Sequence, residues 1–153
     1  MACHVYTSYH QRASISGRPF DLGRWDKHMA KITLRDGRAF DAPDDQRLVL
    51  AIEDFGVDIL HRCGGFAQCT TCRVAFLSGE PTRMTSAELE RLQARNIVGQ
   101  FRLSCQIVCD HDMRVDVVHT LSNSDLTDAG SRPADTITPD PVWIDTPAAP
   151  ASE

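Results

Sequence analysis

The sequence predicts an α+β fold, a mixed sheet packed on one main helix with a second short helix, and three observations carry that reading. Apolar and polar residues alternate at 31–35, 73–77 and 114–117, the period of a half-buried strand. Leu48, Ala51, Ile52 and Phe55 recur instead at helical spacing, and Thr85-Ser86-Ala87-Glu88 has the form of a capping box opening a second helix. Strands precede and follow each helix, in the order ββ-α-β-loop-β-α-β-β, which suits one mixed sheet with helices against it.

The elements follow in order. Ile32 and Leu34 alternate with Lys31, Thr33 and Arg35, and Asp36-Gly37 is a two-residue hairpin signal leading into a second strand from Arg38 to Ala42. Pro43-Asp44-Asp45 opens the main helix with Asp44 as N-cap, and Gly56 ends it as the C′ residue. Val57 to Leu60 forms a short strand into a cysteine-rich loop. Val74 and Phe76 mark the next strand, broken by Gly79 and Pro81. In the second helix Thr85 is the N-cap and Glu88 the N3 residue, with Met84 and Leu89 as a hydrophobic staple, and it runs through Leu92 to about Asn96. Phe101, Leu103 and Cys105 share one face of a further strand, and Val115 and Val117 one face of the last.

The chain has 153 residues and a formal charge of −5, which does not suggest a nucleic-acid partner. No apolar run approaches the roughly 18 residues needed to cross a bilayer. Residues 1–28 are polar and irregular, and Asp21 and Asp26 depart from the acid-poor pattern of an organellar presequence. Met29 stands where regular pattern begins and is a candidate translation start. Residues 119–153 hold five of the eight prolines and six acidic residues against one basic, so an unstructured acidic tail is expected there. Its Val142-Trp143-Ile144 triplet reads as a local contact with its own domain or as a docking motif, the former being favoured. The division is thus 1–28 extension, 29–118 folded domain, 119–153 tail.

Six cysteines are present: Cys3, Cys63, Cys69, Cys72, Cys105 and Cys109. The start shows no basic region followed by an apolar one, so a secreted, disulfide-bonded protein is not expected, and clustered thiols in a reducing compartment point to metal binding. Cys63, Cys69 and Cys72 stand as C-x5-C-x2-C, and Cys105 follows after 32 intervening residues. Two irons bridged by two sulfides need four thiolates to complete two tetrahedra. Three ligands in one loop and a remote fourth meet that need, and Gly64 and Gly65 let the backbone approach the sulfurs closely. A four-cysteine zinc site remains the alternative, although such sites usually come as two separate pairs. Cys109 reads as a half-buried free thiol, with a spare ligand as the sharper possibility, and His61 as a solvated loop histidine.

The loop, the segment Arg102-Leu103-Ser104-Cys105-Gln106 and the order of elements resemble the [2Fe–2S] ferredoxin family with the β-grasp fold. The C-x5-C-x2-C spacing is similar to that of the adrenodoxin and putidaredoxin branch. The resemblance covers about residues 29–118. It implies a [2Fe–2S] cluster held by Cys63, Cys69, Cys72 and Cys105, the first two on one iron and the last two on the other. It also implies a one-electron carrier and not an enzyme, working between a ferredoxin reductase and an acceptor oxidoreductase; a monomer is expected, and the excess of Arg over Lys suggests a GC-rich bacterial genome and hence the cytoplasm. A cluster-based redox sensor is the alternative function. One departure bears on partners. Where that branch carries an acidic docking segment, this chain has Glu80, Glu88 and Glu90 against Arg83, Arg91, Arg95 and Arg102.

Overall fold

The computed structural model describes residues 28–148; the readings made on 1–27, Cys3 among them, and on the last five residues lie outside it. The first hairpin forms as its turn chemistry dictates. Strands β1 (Met29–Leu34) and β2 (Ala39–Pro43) pair antiparallel across Asp36-Gly37. Gly37 takes φ +91°, and the Asp36 carboxylate accepts from the Arg38 backbone N–H at 2.9 Å. Helix α1 (Leu48–Asp54) follows, then β3 (Arg73–Ser78), β4 (Arg83–Thr85), α2 (Ser86–Ala94), β5 (Arg102–Leu103) and β6 (Met113–Val117). The main sheet runs β2-β1-β6-β3-β5, with β1 and β6 parallel and the other pairs antiparallel. This is the mixed sheet of an α+β, β-grasp fold. Ala30, Ile32 and Leu34 of β1, Val74 of β3 and Val115 of β6 turn inward and form one core with Leu48 and Ile52 of α1.

The start of α1 departs from expectation. Asp44 is not its N-cap: Pro43 to Gln46 forms a turn, Asp45 takes φ +68°, and Asp44 bonds His28 instead. Arg47 holds the N-cap place, with extended backbone and no side-chain cap. Its carbonyl accepts from Leu50 and Ala51, and the free Leu48 N–H finds the Ile107 carbonyl at 2.9 Å. A tertiary partner replaces the cap, which frees the Arg47 side chain to enter the interior. The other end forms as expected. Gly56, at φ +95°, bonds Glu53 and Val57 bonds Ile52, the two hydrogen bonds of a Schellman motif.

Two predicted strands are shorter than their alternation implies. Val57 to Leu60 contributes only a bridge between Ile59 and Thr120. The strand expected through Cys105 ends at Leu103 and turns into a 3-10 turn at Ser104–Gln106.

The expectation of an unstructured tail is corrected over 119–148. Leu60 N–H bonds the His119 carbonyl, His61 N–H the Ala129 carbonyl and Leu121 N–H the Asp58 carbonyl. Ile137 is buried, and strand β7 (Trp143–Asp145) pairs antiparallel with β4 in a second, two-stranded sheet. The Trp143-Ile144 part of the apolar triplet is therefore a contact with the chain's own domain. Composition misses this because the segment is ordered less by its own apolar area than by hydrogen bonds to buried donors of the main domain. No helix among the described residues is long and apolar enough to cross a membrane.

Candidate metal centre

Four thiols meet between the loop that follows α1 and the 3-10 turn after β5. Gly64, Gly65 and Ala67 take left-handed φ values of +68°, +88° and +55°, which curls the chain around Cys63. Gly65 has no room for a side chain. A Cβ there would stand 2.6 Å from Arg47 Nη2 and 2.8 Å from Pro133 Cβ.

The sulfurs come as two pairs. Cys63 neighbours Cys69, and Cys72 neighbours Cys105. Cys69 beside it pulls the Cys63 thiol down to about 4 against the effect of burial, with help from the backbone N–H groups of Gln68, Cys69 and Phe66. The mate, Cys69, is pushed up by the same proximity and by burial. In the inner pair, the neighbouring Cys72 and the Gln106 amide lower the Cys105 thiol although burial opposes them, while Cys72 is raised. Cys63 and Cys69 are partly exposed, whereas Cys72 and Cys105 are buried.

This arrangement fits two bridged irons. A two-iron cluster takes two protein ligands per iron, one outer and one inner pair of thiols.

Side chains to which the sequence pattern assigns no role at the thiols hold the frame. Ser104 Oγ and backbone N–H both donate to the Cys72 carbonyl, at 2.6 and 3.1 Å, which ties the remote thiol to the loop. Thr71 Oγ1 accepts from the Arg62 backbone N–H at 3.1 Å and lies 3.1 Å from Cys69 Sγ, so its hydrogen is free for the sulfur. Gln106 Nε2 donates to the Gly65 and Thr138 carbonyls at 3.2 and 2.9 Å and approaches Cys105 Sγ at 3.7 Å. Thr85 caps α2 by accepting from the Glu88 N–H, then donates to Gln106 Oε1 at 2.8 Å.

Glu88 does not complete the capping box. Its carboxylate accepts instead from Arg102 Nε at 2.9 Å and from the Leu103 N–H at 2.7 Å, fully buried. Burial pushes the Glu88 carboxyl up, opposed by these same bonds. Arg102 also takes Glu80 at 3.3 Å. Of the three glutamates between Cys72 and Cys105, Glu88 is therefore spent internally and Glu80 pairs with Arg102 from the surface, leaving Glu90 among Arg83, Arg91 and Arg95.

Arg47 is the second buried arginine. It donates to the carbonyls of Gly65, Cys105, Ala134 and Thr136, and no carboxylate pairs with it among the described residues. Burial pulls its pKa down, while the Cys105, Cys72 and Cys63 sulfurs push it back up. The signal available in the sequence was a lone arginine immediately before the apolar run Leu48 to Ile52.

His61 is not solvated. The 129–130 segment folds over it, it is 1% exposed, and neither ring nitrogen has an aligned hydrogen-bond partner, although Nε2 lies 3.4 Å from Glu53 Oε1. Cys109 is fully buried rather than half-buried. Burial, Asp110 and Asp44 push its thiol up to about 12, and its charged neighbours are carboxylates, not the other cysteines.

A family model described as a 2Fe-2S iron-sulfur cluster binding domain matches residues 32–110, just over half of the chain, and all four paired cysteines lie inside the match. No curated protein matches the chain in sequence. Among solved structures, an ISC-like [2Fe-2S] ferredoxin (FdxB) from Pseudomonas putida aligns at 21% identity and a TM-score of 0.51, over 63% of this chain and 99% of that one, a likeness of fold. A ferredoxin reductase in carbazole 1,9a-dioxygenase aligns at 17% identity and a TM-score of 0.48, over 61% of this chain but only 29% of the reductase. A reduced putidaredoxin variant from Pseudomonas putida aligns at 27% identity and a TM-score of 0.42, over 59% and 95%.

Proposed function

This chain belongs to the family of 2Fe-2S iron-sulfur cluster binding domains, and from that premise we propose that Cys63, Cys69, Cys72 and Cys105 hold the [2Fe–2S] cluster through which the protein carries one electron at a time from a reductase to an acceptor oxidoreductase. The observation that carries the ligand assignment is the division of the thiols into an outer pair and an inner pair. When bound, the cluster supplies a one-electron couple. What the chain supplies is the environment of that couple. Gln68, Cys69 and Phe66 aim backbone N–H groups at Cys63, Thr71 offers a hydroxyl to Cys69 and Gln106 an amide to Cys105. Such donors stabilise the more negative, reduced state.

The outer pair gives the electron its path. Cys63 and Cys69 are partly exposed and Phe66, at the loop tip, is half exposed, while the inner pair is sealed under Ser104 and Gln106. A partner docking on the loop between Cys63 and Cys72 therefore approaches the sulfurs without opening the core. The functional unit we assign is residues 29–148, because the segment after 118 bonds the loop that holds the cysteines.

The test is iron and acid-labile sulfide content with visible and EPR spectra of anaerobically purified protein, before and after dithionite. A coloured, EPR-silent form that gives a one-electron S = 1/2 signal on reduction is expected. A colourless protein holding zinc, with no iron or sulfide after attempted reconstitution, overturns the reading. Within it, Thr71→Val is expected to lower the reduction potential by up to about 59 mV, a tenfold change in a one-electron equilibrium, because one donor to Cys69 is lost. Spectroelectrochemical titration of the two proteins checks this.

A further inference from the structure

Two arginines are buried in this fold, and their surroundings differ in one respect. Arg102 is neutralised by the buried Glu88 carboxylate at 2.9 Å and by Glu80 at 3.3 Å. Arg47 is fully buried too, yet every hydrogen bond it makes ends on a neutral backbone carbonyl. A buried charge without a counter-charge is costly, and proteins rarely retain one that nothing negative faces. Two of its acceptors identify what faces Arg47. The Cys105 carbonyl belongs to the residue carrying an inner thiol, at 2.9 Å from Nε, and the Gly65 carbonyl, at 2.8 Å from Nη2, lies in the loop that curls round Cys63. The guanidinium thus bonds the backbone on both sides of the thiol cluster, and Cys105, Cys72 and Cys63 are the negative groups that act on it.

We propose that Arg47 is the counter-charge of the cluster: a buried, permanently positive positioning residue that raises the reduction potential and thereby sets the range of partners able to reduce this protein. The inference rests on the ligand assignment above. Two ferric irons, two sulfides and four thiolates sum to a dianion, and one added electron makes a trianion. A fixed cation gains more attraction from the trianion, so it favours the reduced form. The chain keeps this cation dry and immobile. Its remaining donors bond the Ala134 and Thr136 carbonyls at 2.8 and 2.9 Å, so the C-terminal segment closes the site from below. Arginine suits this place because its charge is not lost on burial and its planar fork bonds several carbonyls at once.

Charge and sealing make opposite predictions, which renders the role testable. Without the positive charge the reduced form loses stabilisation and the potential falls. If Arg47 only excluded water, its removal would admit solvent, which favours the more highly charged reduced form, and the potential would rise. The experiment is redox titration of the cluster-loaded full chain as wild type, Arg47→Gln and Arg47→Lys, followed by EPR and visible absorption. For Arg47→Gln the reduction equilibrium is expected to fall at least about tenfold, or about 59 mV for a one-electron couple. Arg47→Lys, which keeps the charge but loses the fork, is expected to stay within about twofold of wild type.

An unchanged or raised potential in Arg47→Gln overturns the proposal, as does a shift in Arg47→Lys as large as that in Arg47→Gln. Where Arg47→Gln holds no cluster, Arg47→Lys decides alone: a potential within about twofold of wild type supports the proposal and a larger displacement overturns it. Loss of the cluster from both variants makes Arg47 a folding anchor and ends the idea. A wild-type protein without the one-electron signal is a different failure, since it sinks the ligand assignment itself.

Discussion

Cys105→Ala is expected to abolish cluster assembly, while Cys109→Ala leaves it intact. The two thiols lie four residues apart in the chain, and both are buried, but the turn at Ser104–Gln106 breaks the strand between them. Cys105 neighbours Cys72 and the Gln106 amide, which hold its thiol below the ordinary range although burial opposes them. Burial holds Cys109 protonated beside Asp110 and Asp44, an environment hostile to a thiolate. On the proposed ligand assignment, removing Cys105 would take one of the four thiolates from the cluster, and the buried position admits no easy substitute. Iron and sulfide content after anaerobic reconstitution, with the visible absorption of each variant, measures the outcome. Iron retained in full by Cys105→Ala and lost in Cys109→Ala would exchange the two assignments.

The second large effect is expected at a residue that touches no sulfur. Glu88→Ala should destabilise the fold by about 3–5 kcal/mol, the usual cost of leaving a buried ion without its partner. Glu88 bonds Arg102 through both carboxylate oxygens, at 2.9 and 3.1 Å, and holds the Leu103 N–H as well. Glu80 is too exposed to take over the charge fully. Replacing Glu88 and Arg102 together by apolar residues should recover much of the loss, because an empty pair costs less than a broken one. Urea denaturation of the single and double variants separates the cases. Equal stability of Glu88→Ala and the wild type would mean that Arg102 is satisfied by the Pro81 and Arg83 carbonyls alone.

The same pair shows why part of the site escaped a reading of the sequence. Thr85 to Glu88 matches a capping box, and half of it forms, since Thr85 accepts from the Glu88 N–H. The reciprocal half does not, because Arg102, fourteen residues on, offers the Glu88 carboxylate a stronger partner than the Thr85 N–H. A local rule yields where a buried charge must be met. The N-cap of α1 follows the same logic. Asp44 is the better cap by residue type, but the Ile107 carbonyl supplies a partner for the Leu48 N–H and Arg47 is drawn inside.

By itself the sequence determined what depends on local geometry and ligand chemistry. Strand alternation, the Asp36-Gly37 turn, the Gly56 helix stop and the spacing of Cys63, Cys69 and Cys72 each act over a few residues, and each is visible without knowing what lies across the fold. Only the tertiary structure decided which of the thiols face out and that a buried arginine bonds the backbone beside them, because those depend on residues far apart in the chain. Residues 119–148 are the clearest case. Their proline-rich, acidic composition could not order them alone, yet Arg47, Gln106 and the His61 N–H present buried donors that this segment's carbonyls help to satisfy. Apart from the Val142-Trp143-Ile144 triplet and Ile137, the driving force resides in the partner, and so it leaves little mark on the segment's own sequence.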